Sequence, residues 1–123
     1  METKIVDRMV ESPQLAVSSQ CPMTAALEAI GGKWNLICLY WLGGGTRRFN
    51  ELRRLMPDIS QKVLSATLRT LEANGLVTRT VFAEVPPRVE YCISAHGESV
   101  RPLIEAVRTW GRRHMNWKET ALP

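Results

Sequence analysis

The sequence predicts a mainly helical fold with one small β-hairpin, an α+β arrangement built around a helix–turn–helix pair. Apolar residues recur at helical spacing through successive segments up to Gly75. From Leu76 to Ser94 the period changes to the alternation of strands, interrupted by Pro86-Pro87. Helical spacing then returns, with Val100, Leu103, Ile104, Val107 and Trp110 forming one long stripe.

Each element has its own local cause. Cys21-Pro22 opens the first helix, because proline is favoured where a helix has no use for an N–H. Met23, Leu27 and Ile30 continue it and Gly31-Gly32 ends it. Trp34, Ile37, Cys38 and Trp41 mark a second, largely buried helix that stops at Gly43-Gly44-Gly45. Phe49, Leu52, Leu55 and Met56 mark a short third helix, broken by Pro57-Asp58. Ser60 is an N-cap for a fourth helix over 61–74, and Gly75 ends that one. Strands are expected over 76–82 and 88–94, joined by a tip whose two prolines cannot enter a ladder. A last helix should run from Ser94 to about Trp117. Two helices joined by a turn of about four residues, then a hairpin, describe a helix-turn-helix followed by a wing.

Composition narrows the functions. The chain has 123 residues, enough for one core, and a net charge of +4. Residues 1–32 set Lys4 and Arg8 against Glu2, Asp7, Glu11 and Glu28, so the positive excess lies in the rest of the chain. A basic domain suits a polyanion. The longest apolar run, Leu36 to Leu42, falls far short of the ~20 residues of a membrane span. Asp7, Arg8 and Glu11 interrupt any signal-peptide pattern, which predicts a cytoplasmic protein. Residues 1–20 read as an N-terminal arm, 21–111 as the working domain and 112–123 as the end of the last helix and a tail.

Placed on a helical wheel, residues 61–73 turn Val63, Leu64, Thr67, Leu68 and Leu71 to one side. The other side shows Lys62, Ser65, Ala66 and Arg69, edged by Gln61 and Thr70, with Glu72 at its flank. Arginine pairs with guanine and glutamine with adenine through two hydrogen bonds each. Gln61, Lys62, Ser65 and Arg69 are therefore the expected base readers, with Ser60 near a phosphate. Lys33, Arg47 and Arg48 are expected phosphate contacts, alongside Arg53 and Arg54. Arg88 borders the wing tip, where a side chain could enter a minor groove. The partner is then double-stranded DNA. A winged helix used only for protein contacts is the alternative.

The ordered segments Cys21-Pro22, Gly31-Gly32-Lys33-Trp34, Arg48-Phe49-Asn50-Glu51-Leu52, Ile59-Ser60-Gln61-Lys62-Val63-Leu64, Leu71-Glu72-Ala73-Asn74-Gly75-Leu76-Val77 and Glu84-Val85-Pro86-Pro87-Arg88-Val89-Glu90-Tyr91 resemble the HxlR-type winged helix-turn-helix regulators. The resemblance covers about Cys21 to Gly111. It implies a homodimeric DNA-binding transcription regulator, usually bacterial, that dimerises through its terminal helices. Val100, Leu103, Ile104, Val107 and Trp110 would then face the partner, although packing within the chain is open for some of them. Two-fold symmetry implies a near-palindromic operator with half-sites ~34 Å or a multiple apart.

Three dispersed cysteines make no disulfide framework. Cys21 at a helix N-cap faces the positive end of the helix dipole, which favours a thiolate. Some relatives sense oxidants or electrophiles through the cysteine at this place. Relatives that lock through an intersubunit disulfide can use a cysteine near the C-terminus, and the absence of one after Cys92 argues against that route here. Cys38 should be buried and inert, and Cys92 exposed on the wing. No Cys-x-x-Cys pair and no base-and-nucleophile partner for His96 or His114 argue against an enzyme. Cys92 and His96 lack the second pair that a zinc site needs. No cofactor is implied.

Overall fold

The computed structural model describes residues 21–121, so the arm expected at residues 1–20 lies outside the described residues. The chain order is α1 (Pro22–Ile30), α2 (Asn35–Leu42), β1 (Arg47–Arg48), α3 (Phe49–Leu55), α4 (Gln61–Ala73), β2 (Val77–Phe82), β3 (Arg88–Ile93), α5 (Ala95–Glu98) and α6 (Arg101–Ala121).

Cys21 is the extended N-cap of α1, with Pro22 in the first turn, and the Gly31 N–H closes the helix on the Leu27 carbonyl at 2.8 Å. None of its residues is fully buried, and Met23 and Leu27 stand 66% and 59% exposed. The α2 helix buries Asn35, Cys38, Leu39 and Leu42. Asn35 Nδ2 donates to the Ala29 carbonyl at 2.9 Å, which ties the end of α1 to the start of α2. Trp34 precedes the helix as its N-cap, and Ile37, expected inside, is exposed. An eight-residue helix packed on one side leaves its far side uncovered.

The α4 helix is the centre of the core. The Ser60 hydroxyl accepts from the Val63 N–H at 3.1 Å, as an N-cap should. Leu64, Thr67, Leu68 and Leu71 are buried against Leu39, Leu42, Leu52, Met56 and Ile59. Val63 is 40% exposed, because its place in the first turn puts it at the edge of that stripe. The helix ends on a Schellman motif: Gly75 N–H donates to the Glu72 carbonyl and Leu76 N–H to the Leu71 carbonyl. Gly75 has φ +75, where a side chain is strained.

The wing has three strands, in the order β1-β3-β2 and antiparallel throughout, where the sequence suggested two. Two residues, Arg47 and Arg48, are too few to show alternation; only their pairing with Tyr91 and Glu90 makes them a strand. Val77 opposite Ile93 and Arg79 opposite Tyr91 stand on the inner face, toward the helices. Phe82 opposite Arg88 and Thr80 opposite Glu90 stand on the outer one.

The closing helix also departs from expectation. Ser94 caps the short α5 through the Gly97 N–H at 2.9 Å, and α6 begins only at Arg101. A Cβ on Gly97 would collide with the Leu76 carbonyl and stand 2.7 Å from the Ile93 side chain, so glycine lets this turn sit against the sheet. The α6 helix then runs unbroken to Ala121, past the expected end near Trp117. Val100 and Ile104 pack on the chain's own core, and Ile104 is only 6% exposed.

Leu68→Ala should lower the unfolding free energy by ~2–5 kcal/mol, whereas Val63→Ala should cost under ~1 kcal/mol. Urea denaturation of both variants measures the difference; equal losses would contradict the burial described for α4.

Candidate nucleic-acid interface

The outward side of α4 carries Gln61, Lys62, Ala66 and Arg69, all exposed, and the half-buried Ser65. Three of the four expected readers, Gln61, Lys62 and Ser65, lie within the first turn and a half of the helix, Arg69 follows one turn later, and Ser60, the expected phosphate contact, is the N-cap. The small side chains of Ser65 and Ala66 leave the helix backbone open to close approach. Beside this face, a groove between α4 and the sheet is lined by Phe49, Ser65, Arg69, Glu72, Arg79 and Tyr91. Arg79 was not singled out from the sequence. The signal was present: Val77, Arg79 and Val81 share the inner face of β2, and a cation among apolar neighbours on that face needs a reason.

The other expected contacts are dispersed. Arg48 is exposed at the N-cap of α3, where its N–H donates to Glu51 Oε1 at 2.6 Å. Arg47 is turned away from it, with Nε 3.3 Å from the Trp41 carbonyl at the end of α2. Lys33 stands 4.9 Å over the Trp34 ring, outside the α4 groove. Arg88 is already engaged. Its guanidinium pairs with Glu84 at 2.9 Å and Glu90 at 2.7 Å, and lies 3.8 Å from the centre of the Phe82 ring. The outer-face register brings Glu90 and Phe82 to it, so the wing-tip cation is neutralised locally rather than extended toward a groove.

The α6 stripe divides into two faces. Val100 and Ile104 turn inward, while Leu103, Val107 and Trp110 are 42%, 46% and 59% exposed. His114 continues the outward face, stacked between Trp110 and Trp117 at 4.9 and 5.7 Å. The helical repeat of ~100° per residue puts these five on one line.

Cys38 is buried, and burial pushes its thiol up to about 12. Cys21 is half-exposed. Its thiol closes no capping hydrogen bond, yet the Thr24 hydroxyl and then the Thr24 and Met23 amides hold its pKa below the ordinary thiol value. Cys92 is half-buried in β3 rather than fully exposed. Among the described residues, no three His, Cys, Asp or Glu side chains are grouped to hold a metal, and no helix is long and apolar enough to cross a membrane.

Comparison with known proteins agrees with this architecture. Residues 29–119 match the family model of the HxlR-like helix-turn-helix. An uncharacterized HTH-type transcriptional regulator of Methanothermobacter thermautotrophicus is 44% identical over 101 residues, covering 82% of this chain and 77% of that protein. The HTH-type regulator YtcD of Bacillus subtilis is 47% identical over 92 residues, covering 75% and 73%. Among solved structures, the redox regulator HypR in its reduced form superposes with a TM-score of 0.76 at 40% identity, covering 81% of this chain and 99% of that one. The reduced form of YodB from B. subtilis superposes with a TM-score of 0.65 at 30% identity, covering 84% and 96%. A winged helix whose core, wing and closing helix follow this order, with a family match across most of its length, places the chain in the HxlR-like helix-turn-helix family of transcription regulators.

Proposed function

We propose that the protein is a homodimeric, sequence-specific double-stranded DNA-binding transcription regulator of the cytoplasm, with no enzymatic activity of its own. The observation that carries this reading is the outward face of α4, where Gln61, Lys62, Ser65 and Arg69 stand clear of the core beside Arg79. The α4 helix enters the major groove N-terminal end first, which brings Gln61, Lys62 and Ser65 to base edges. Arg48, Arg79 and the Ser60 end of α4 contact phosphate, and Lys33 and Arg47 contribute to the surrounding positive field. The wing lies at the minor groove. There Arg88 acts only if it leaves Glu84 and Glu90.

The dimer forms through the outward face of α6, Leu103, Val107 and Trp110, together with the uncovered Met23 and Leu27 of α1. Exposed apolar side chains in such a line are costly unless a partner covers them. Residues 21–111 form the DNA-reading domain, and α6 continues past it as the dimer strut. Cys21 supplies oxidant or electrophile sensing, supported by its lowered pKa and by the redox regulators among its structural relatives.

Sequencing the fragments of host DNA retained by the reduced protein at physiological salt tests the whole reading. A short near-palindrome should be enriched; random fragments bound with little salt dependence would point to a protein-contact role instead.

Arg69→Ala should cost ~1–3 kcal/mol in operator binding and relax base choice at one position, while Arg79→Ala should weaken all sequences alike and lower the salt slope by ~1. Competition with operator variants separates the two outcomes; loss of base choice in the Arg79 variant would exchange the roles. Trp110→Glu should yield monomers by sedimentation, and a stable dimer would move the interface elsewhere.

Alkylation of Cys21, followed by peptide mass spectrometry, should show a midpoint at lower pH in the folded protein than in urea. The lowered pKa means that the folded state favours the thiolate, so reactivity appears earlier as pH rises. Cys38 should remain unlabelled until the chain unfolds. Equal midpoints for Cys21 in both states would remove the activated thiol.

A further inference from the structure

A cavity of about 240 Å3 lies between the end of α2, β1 and α6, apart from the α4 groove. Leu39, Ile93 and Ile104 form its apolar floor, and Tyr40 and Trp41 supply an aromatic wall. Those two rings meet edge to face, with centroids 5.0 Å apart. Two guanidiniums, Arg47 of β1 and Arg101 of α6, line it. A Cβ at Gly44 would stand 2.9 Å from Arg47 Nη2, and one at Gly43 would stand 3.2 Å from Arg101 Nη1. Residues 43 and 44 are neighbours, ~3.8 Å apart along the backbone. Arg47 and Arg101 therefore converge on one small area.

Their known contacts leave donors over. Arg47 gives Nε to the Trp41 carbonyl at a long 3.3 Å, and its Nη atoms have no carboxylate among the described residues. Arg101 gives Nε and Nη2 to Glu98 Oε1 at 2.9 and 2.8 Å, with Gly43 O at 3.4 Å, and keeps Nη1. Capping the carbonyls of α2 accounts for part of this, but not for an aromatic wall and an apolar floor beside two forked cations. Glu105 lies on the rim, held by Arg108 at 3.0 Å, and makes the site poor for a dianion.

We propose that this cavity binds a small planar aromatic monocarboxylate, its carboxylate on Arg47 and Arg101 and its ring against Tyr40 and Trp41. A carboxylate matches the planar fork of a guanidinium, and a ring matches the wall. The volume is below the ~300–1,000 Å3 of drug-sized sites, which limits the ligand to about one ring with a short substituent. The site touches β1, which leads directly into α3, and α6, which carries the outward apolar face. A ligand there bridges the DNA-reading half and the strut. Coupling to operator affinity rests on the function proposed above; occupancy of the cavity does not.

Calorimetric titration of the full-length reduced protein with sodium benzoate, benzamide and sodium phosphate tests occupancy. Benzoate should saturate one site per chain, with benzamide and phosphate at least ~10-fold weaker, the loss expected for a missing charge-assisted pair or a poor fit. Arg47→Gln should weaken benzoate by a similar factor, and Arg47→Lys should restore only part of it. Glu105→Gln should strengthen benzoate, a gain that a poorly folded variant cannot imitate. No saturable benzoate binding, equal binding of benzamide, or weaker binding by Glu105→Gln would overturn the site. In a second titration, saturating benzoate should change operator affinity ~5–150-fold. An unchanged operator affinity with benzoate bound would overturn the coupling and leave the site. Failure to bind any operator, with benzoate still bound, would overturn the DNA-binding reading alone.

Discussion

The burial of one side of α4 is the constraint on which the other elements depend. Leu64, Leu68 and Leu71 are almost fully enclosed, each worth ~1.5–3 kcal/mol relative to exposure. Their partners come from α2, α3 and the residues just before and after α4, so this stripe draws together nearly every element of the domain. It also sets the rotation of α4 about its own axis. With Leu64, Thr67, Leu68 and Leu71 held inward, the 3.6-residue repeat leaves Lys62, Ser65, Ala66 and Arg69 no direction but outward. The polar outward face of α4 is thus a consequence of core packing, held at its two ends by the Ser60 cap and the Gly75 Schellman turn.

The sheet is tied to that same core through its inner face. Leu76 and Val77 are buried, and Ser94 returns to Gly75 and Leu76 through its hydroxyl and N–H. The wing is consequently anchored at its base, and its far end carries an ion-paired cluster. There, Arg88, Glu84 and Glu90 form a local network over Phe82. Ion pairs at such partly exposed positions contribute little to stability, so their effect is chiefly to hold the wing cation in place.

The closing helix serves two surfaces at once. Val100 just before it and Ile104 in its first turn dock on the core, and Arg101 is brought to the end of α2. Its opposite face presents Leu103, Val107, Trp110, His114 and Trp117 with no cover from the described chain. A helix with one face in the chain's core and one free is a direct mechanical link between whatever it meets and the α2–β1 corner. The cavity with Arg47 and Arg101 sits at that corner.

Periodicity, caps and breakers along the chain were enough to determine the order of helices, the inward and outward faces of α4, the buried Cys38 and the Cys21 N-cap. These are local properties: Ser60 caps the residue three ahead, and Leu64 and Leu68 share a face by helix geometry alone. What depended on pairing between distant segments was decided only by the tertiary structure. β1 exists because Arg47 and Arg48 meet Tyr91 and Glu90, and Arg79 joins the α4 groove because its register sets it opposite Tyr91. Arg88 is neutralised because Glu84 and Glu90 converge on it across the turn of the wing. Ile104 is core and Trp110 is surface although both belong to one apolar stripe, since only the docking of α6 on α2 decides which side of the stripe is covered. A sequence states which side chains share a face; the remainder of the fold states what that face meets.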